Sequence, residues 1–152
     1  MPLHTYRFRD TWLIAAPARL VFDAVVDLAG YPRWWPDVRS VKRVDDDTAE
    51  LVCRATLPYR LVVRMRRAEQ NVPAGRLRVQ LAGDLEGSLA ALVTGGAEGT
   101  WLHITQHVLV TKPLLRRLSP VARPLFRANH ALMMRRGHRG LRCLLCAAHA
   151  GP

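Results

Sequence analysis

Apolar and polar positions alternate over long stretches of this chain, and the alternation predicts most of its elements. From Tyr6 to Ile14, Tyr6, Phe8, Trp12 and Ile14 share one face while Arg7, Arg9 and Thr11 share the other, the period of a half-buried strand. Asp10 breaks the pattern. Strict alternation puts it on the apolar side, either as an interior polar group or as the mark of a bulge. Ala16-Pro17 ends this strand, and Pro17 to Leu28 has the spacing of a short helix with Leu20, Val21, Ala24, Val25 and Leu28 on its apolar side. Gly30 closes that helix. Tyr31-Pro32-Arg33-Trp34-Trp35-Pro36 is too rich in proline for a long element and predicts a helical turn carrying bulky rings. Val38 to Val44 is the next strand, and Asp45-Asp46-Asp47 turns the chain into another over Glu50 to Leu57.

The following strands alternate most clearly. In Tyr59 to Arg67, Tyr59, Leu61, Val63 and Met65 oppose Arg60, Arg64 and Arg66; in Arg76 to Ala82, Leu77, Val79 and Leu81 oppose Arg76, Arg78 and Gln80. Turns at Asn71 to Gly75, Gly83-Asp84 and Gly95-Gly96 delimit further strands over Leu85 to Thr94 and Gly99 to Thr111. In the last of these, Leu102, Ile104, Gln106 and Val108 form the more apolar face and are placed inward, which makes Gln106 a candidate polar contact. A slip of one residue would turn Trp101, His103, Thr105 and His107 inward instead.

After Lys112-Pro113 comes the longest element, a helix over Ser119 to Leu145. Ser119 is suited to the N-cap and Pro120 to the first helical position, where a missing N–H is harmless. Val121, Leu125, Asn129, Leu132, Met133, Leu141 and Leu144 return at helical spacing, with Arg123, Arg127, Arg135, Arg139 and Arg142 mostly opposite. Gly137 and Gly140 inside it each cost ~1 kcal/mol against Ala, and close approach of another backbone explains them. Consecutive strands joined by short turns imply an antiparallel meander, and one long apolar stripe needs a wide partner surface. The fold is therefore α+β, a curved sheet holding the terminal helix in its concave side.

Composition adds limits. A chain of 152 residues suits one domain, spanning 1–152, that buries roughly two-thirds of its unfolded surface. No apolar run approaches the ~20 residues of a membrane span, and the first nine residues lack the apolar stretch of a signal peptide, so the expected location is cytoplasmic. Cys53, Cys143 and Cys146 are too few for a disulfide framework. The net charge of +11 is nearly all arginine, spread over many segments rather than one block. That distribution suits a solvated surface, without a specific nucleic-acid partner, while leaving room for peripheral contact with an anionic membrane through the arginine faces.

Three stretches carry a family resemblance. Trp12-Leu13-Ile14-Ala15-Ala16-Pro17-Ala18-Arg19-Leu20-Val21-Phe22 resembles the opening strand and helix of the SRPBCC superfamily, which includes START-like, polyketide cyclase/dehydrase-type and Bet v 1-like proteins. Asp27 to Val38, with Tyr31-Pro32-Arg33-Trp34-Trp35-Pro36 at its centre, is similar to that group's acid-to-tryptophan segment. Arg127-Ala128-Asn129-His130 through Gly140-Leu141 resembles the C-terminal helix of uncharacterised actinobacterial members. The resemblance implies a helix-grip fold, a seven-stranded sheet wrapped on a long helix around a hydrophobic cavity.

The cavity is the main functional expectation. Leu51, Cys53, Tyr59, Leu61, Val63, Met65, Leu77, Val79, Leu81 and Leu89 would wall it, with Ile104 and Gln106 beside them. Leu125, Asn129, Leu132 and Met133 would form the floor, and Trp34 and Trp35 would border the mouth. Apolar burial would supply affinity for a small hydrophobic or aromatic molecule, and Gln106, Asn129, Tyr59 and the indole N–H groups would orient it. A cyclase or dehydratase would need a perturbed acid or base in the pocket, and only Tyr59, Asp10 and the histidines are available for that role. No cofactor or metal is expected. His103 and His107 have no further ligand nearby, and Cys143-x-x-Cys146 with His149 lacks a second pair and sits at the wrong end of a helix for a reactive thiolate. Asp45-Asp46-Asp47 is a solvated turn, and Asp84 and Glu86 flank another, where they could approach an arginine although the sequence assigns them no partner. The chain is expected to act as a monomer or homodimer.

Overall fold

The computed structural model describes residues 5–54, 59–113 and 122–149. Strand β1 (Thr5–Ile14) leads into helix α1 (Ala18–Val26), a 3₁₀ turn at Leu28–Gly30 and the short helix α2 (Tyr31–Trp34). Six strands follow: β2 (Val38–Arg43), β3 (Thr48–Cys53), β4 (Leu61–Asn71), β5 (Arg76–Gly83), β6 (Leu85–Gly96) and β7 (Gly99–Val110). The long helix α3 (Ala122–His149) ends the described chain. The expected cap at Ser119, with Pro120 and Val121, and the expected strand end at Leu57 lie outside the described residues.

All seven strands form one antiparallel sheet in the order β1-β7-β6-β5-β4-β3-β2, so a meander from β2 to β7 is closed by the first strand pairing with the last. Alternation decides which face is buried. Leu77, Val79 and Leu81 are buried on β5 while Arg76, Arg78 and Gln80 are exposed, and on β4 Leu61 and Val63 are buried while Arg64 and Arg66 are exposed. The arginine faces of these strands thus lie on the side of the sheet away from the core. On β7, Leu102, Ile104, Gln106 and Val108 are buried, His107 is exposed, and His103 lies half-buried with Nε2 3.4 Å from Thr94 Oγ1. The alternative register, with the histidines inward, does not occur. Pairing of β1 with β7 runs unbroken from Thr5↔Leu109 to Ile14↔Thr100, so no bulge excuses Asp10. It sits half-buried on the inner face, where burial raises its carboxyl above the ordinary value.

Helix α3 lies against that inner face by a line that coincides only in part with the expected stripe, of which Asn129 and Leu141 are buried and Met133 and Leu144 pack inward. Phe126, His130, Met134, Leu141 and Leu145 are buried, with Gly137 between them, and steps of three and four residues keep them on one line. Leu125 is 53% exposed and Leu132 38% exposed, so neither belongs to the floor assigned to it. Each misses the true line by a fraction of a turn, because a histidine and a glycine occupy positions that an apolar count passes over. Gly137 and Gly140 are where α2 crosses the helix. A Cβ on Gly140 would overlap the Trp34 carbonyl oxygen, and one on Gly137 would come within 2.6 Å of the Trp35 ring.

Polar contacts brace the chain on either side of this crossing. The Tyr31 hydroxyl donates to the Val25 carbonyl at 2.5 Å, tying α2 back to α1. Arg136 Nη1 lies 3.2 Å from each oxygen of the buried Asp37 carboxylate. At the far end, the turn at 45–47 is solvated as expected, with Asp46 and Asp47 paired to Arg43 and Arg67. Asp84 pairs with Lys112 at 3.6 Å rather than with an arginine.

Candidate functional site

A cavity of about 100 Å³ lies between the sheet, the α1–α2 segment and α3. Alternation brings Leu61, Val63 and Met65 from β4, Leu77, Val79 and Leu81 from β5, and Leu89 from β6 to its wall, with Ile104 and Gln106 from β7 beside them. Leu51 and Cys53 line it from β3, Met133 from α3, and Trp34 and Trp35 from the end of α2.

Four expected site residues stand elsewhere. Leu125 and Leu132 point outward. Tyr59 and Asn129 are not on the wall; the Asn129 amide donates to the Tyr59 hydroxyl at 3.1 Å, so the two serve each other. Trp35 lines the cavity but its indole N–H donates to the Met133 carbonyl at 2.9 Å, which removes it as a ligand contact and pins α2 to α3. Trp12, Leu28, Tyr31 and Met134 also line the cavity and were not foreseen as site residues. Trp12 was legible, since it stands on the apolar face of β1. Tyr31 and Trp34 pack edge to face with centroids 5.0 Å apart, and Trp12 meets Trp35 the same way at 5.9 Å, so one end of the cavity is aromatic.

Among the described residues, those that line the wall carry no carboxylate, imidazole, ammonium or guanidinium group. The titratable groups among these described residues, Cys53 and Tyr31, are held protonated. Burial, with the nearby Asp37 charge, pushes the Cys53 thiol up to about 12, and burial with Asp27 raises the Tyr31 phenol. Gln106 brings a side-chain amide to the wall. Its Nε2 lies 3.0 Å from His130 Nε2 and 3.8 Å from Met134 Sδ, just behind the cavity surface. His130 is itself buried, stacks on Phe8 with centroids 3.6 Å apart, and has its pKa lowered to about 4 by desolvation, so it is neutral at neutral pH. A neutral ring accepting at Nε2 carries its proton on Nδ1. His130 was visible in the sequence only as the neighbour of Asn129.

Among the described residues no group of three or more His, Cys, Asp or Glu is placed to hold a metal ion. Cys143 is exposed, and the side chains of Cys146 and His149 lie outside the described set. A second, more polar cleft of about 310 Å³ lies between the 3₁₀ turn and the 45–48 turn. It shares Leu28, Leu77 and Val79 with the apolar cavity, so these side chains form the partition between the two.

Residues 14–130 match the family model for polyketide cyclase / dehydrase and lipid transport, more than half of the chain. The chain belongs to this family. The fold recurs in solved structures. An aromatase/cyclase, Zhui from Streptomyces sp. R1128, superposes with a TM-score of 0.80 at 18% identity, covering 98% of this chain and 100% of that one. A START superfamily protein from Mycobacterium smegmatis gives a TM-score of 0.69 at 16% identity over 93% of this chain and 97% of that one. The di-domain aromatase/cyclase BexL of the BE-7585A biosynthetic pathway gives 0.74 at 19% identity over 99% of this chain, which spans 52% of it. At such identities the likeness establishes the helix-grip fold alone and leaves the chemistry to the site itself. No curated protein sequence matches the chain. Among the described residues no helix is long and apolar enough to cross a membrane.

Proposed function

We propose that this protein binds a small hydrophobic ligand, a single aromatic or alicyclic ring, between its sheet and α3. The observation that carries this reading is the cavity: about 100 Å³ of space with a largely apolar wall into which Gln106 brings a side-chain amide. Size sets the ligand class. Pockets for drug-sized molecules run from roughly 300 Å³ upward, whereas an engineered apolar cavity of about 150 Å³ in another protein takes up benzene. A single six-membered ring with a small substituent therefore suits this volume better than a fused polycycle. Burial of such a ring, at ~25 cal/mol per Å² of apolar area, provides the affinity.

The enzymatic alternative, a cyclase or dehydratase acting on a polyketide, asks for a proton donor and acceptor on the wall. Cys53 and Tyr31 are held protonated and His130 stands behind Gln106, so the wall supports binding more than proton transfer. The experiment is native mass spectrometry of the purified protein with denaturing extraction, followed by titration with one-ring compounds read by tryptophan fluorescence. Val79→Phe should fill the cavity and abolish binding while the protein stays folded. Binding that survives Val79→Phe would move the site elsewhere.

A further inference from the structure

The contact between Gln106 and His130 decides more than the packing of α3. Gln106 Nε2 bears two protons, and both have destinations on the helix side: the His130 Nε2 lone pair at 3.0 Å and the Met134 thioether at 3.8 Å. The reverse orientation would press the amide oxygen against the lone pairs of Sδ, where no proton is available. His130 cannot turn away to suit it, because its ring is stacked at 12° on Phe8. With the nitrogen held there, the amide geometry directs Oε1 away from both partners. The recorded hydrogen bonds of the Gln106 side chain both run from Nε2, to His130 and to Met134, and the residue belongs to the cavity wall.

We infer that His130 sets the sense of the hydrogen bond the cavity offers: by holding the Gln106 amide nitrogen it presents the amide oxygen to the ligand, which is thereby a ring bearing a hydrogen-bond donor, such as a phenol or an N–H heteroaromatic. Rings whose only polar atom is an acceptor, such as aryl ethers, bring an oxygen toward an oxygen and are disfavoured. His130 acts as a positioning residue, since it does not line the cavity. The inference rests on the cavity's being the binding site and goes beyond that reading in naming the polar group.

The test uses two isomers of equal composition, 4-methylphenol and anisole, of which only the first donates. The wild-type protein should bind 4-methylphenol about tenfold more tightly, the worth of one good neutral hydrogen bond. Gln106→Leu should erase that ratio, and His130→Leu should shrink it toward unity by freeing the amide to turn. A merely structural role for His130 would weaken both ligands alike and leave the ratio intact, which would overturn the inference. So would a wild-type ratio near one. A measurement without any substitution guards against misfolded variants: ¹⁵N spectra of the histidine rings should show His130 protonated at Nδ1 and bare at Nε2, and the opposite tautomer would refute the assignment. If neither isomer binds and Val79→Phe behaves as the wild type does, the cavity reading itself fails, and this inference with it.

Discussion

Arg136 on α3 holds the carboxylate of Asp37, the residue that leads α2 into β2, with Nη1 3.2 Å from both oxygens. The carboxylate is almost fully buried, the guanidinium only partly, with side-chain exposures of 3% and 40%. Removing the cation therefore strands a buried charge, whereas removing both partners does not. Arg136→Met should cost about 2–3 kcal/mol, the buried-pair penalty discounted for the exposed side. Asp37→Asn combined with Arg136→Met should recover part of that loss. Urea unfolding of the three proteins reads the difference, and equal stabilities would show that solvent reaches Asp37.

The crossing of α2 over α3 depends on a missing side chain at 140. In a solvent-facing helix Gly→Ala gains about 1 kcal/mol. Here the added methyl would strike the Trp34 backbone, which cannot move without shifting Tyr31 and Trp35. Gly140→Ala should instead destabilise by about 1–3 kcal/mol and weaken ring binding, while Arg139→Ala beside it stays within about 0.5 kcal/mol. A stabilised Gly140→Ala protein, measured by thermal unfolding, would mean that the two helices stand further apart.

How much of this could be read without coordinates follows from which signals are periodic. The sheet was legible because arginine and aliphatic residues alternate on β4 and β5, and the same rule turned Gln106 inward correctly. The face of α3 was legible only in part, through Asn129 and Leu141, because its buried line also runs through His130 and Gly137, one polar and one without a side chain. Each of these is buried for a tertiary reason, a stack on Phe8 in one case and the passage of Trp35 in the other. Periodicity also gave no hint that Tyr59 and Asn129 would satisfy one another away from the cavity. Polar partnerships between distant segments depend on the fold being assembled, and a sequence pattern does not carry them.

His130 makes stability depend on pH in a window that can be stated. Its ordinary value of 6.5 falls to about 4 in the folded protein, so between these values the unfolded chain binds the extra proton. Stability is complete above 6.5 and lost as pH falls toward 4. Between pH 7 and pH 4 the wild type should lose about 3 kcal/mol more than a His130→Gln variant, whose carboxylates titrate alike but whose residue 130 does not. Denaturant midpoints at both pH values test it. Parallel curves would place the imidazole in contact with water.

Cys53 and Cys143 should react very differently with an alkylating reagent, and the contrast bears on function. Cys143 is exposed, whereas Cys53 lies on the cavity wall with its thiol pushed up to about 12. At pH 8 that leaves Cys53 about one part in ten thousand as thiolate, the form that attacks iodoacetamide. Peptide mapping after brief treatment should find Cys143 modified and Cys53 intact, with Cys53 labelled only in denaturant. A ring compound in the cavity should leave this pattern unchanged, because the thiol is already dry. Rapid native labelling of Cys53 would mean that the wall opens to solvent and holds an activated sulfur, and would turn the reading from a binding site toward nucleophilic chemistry.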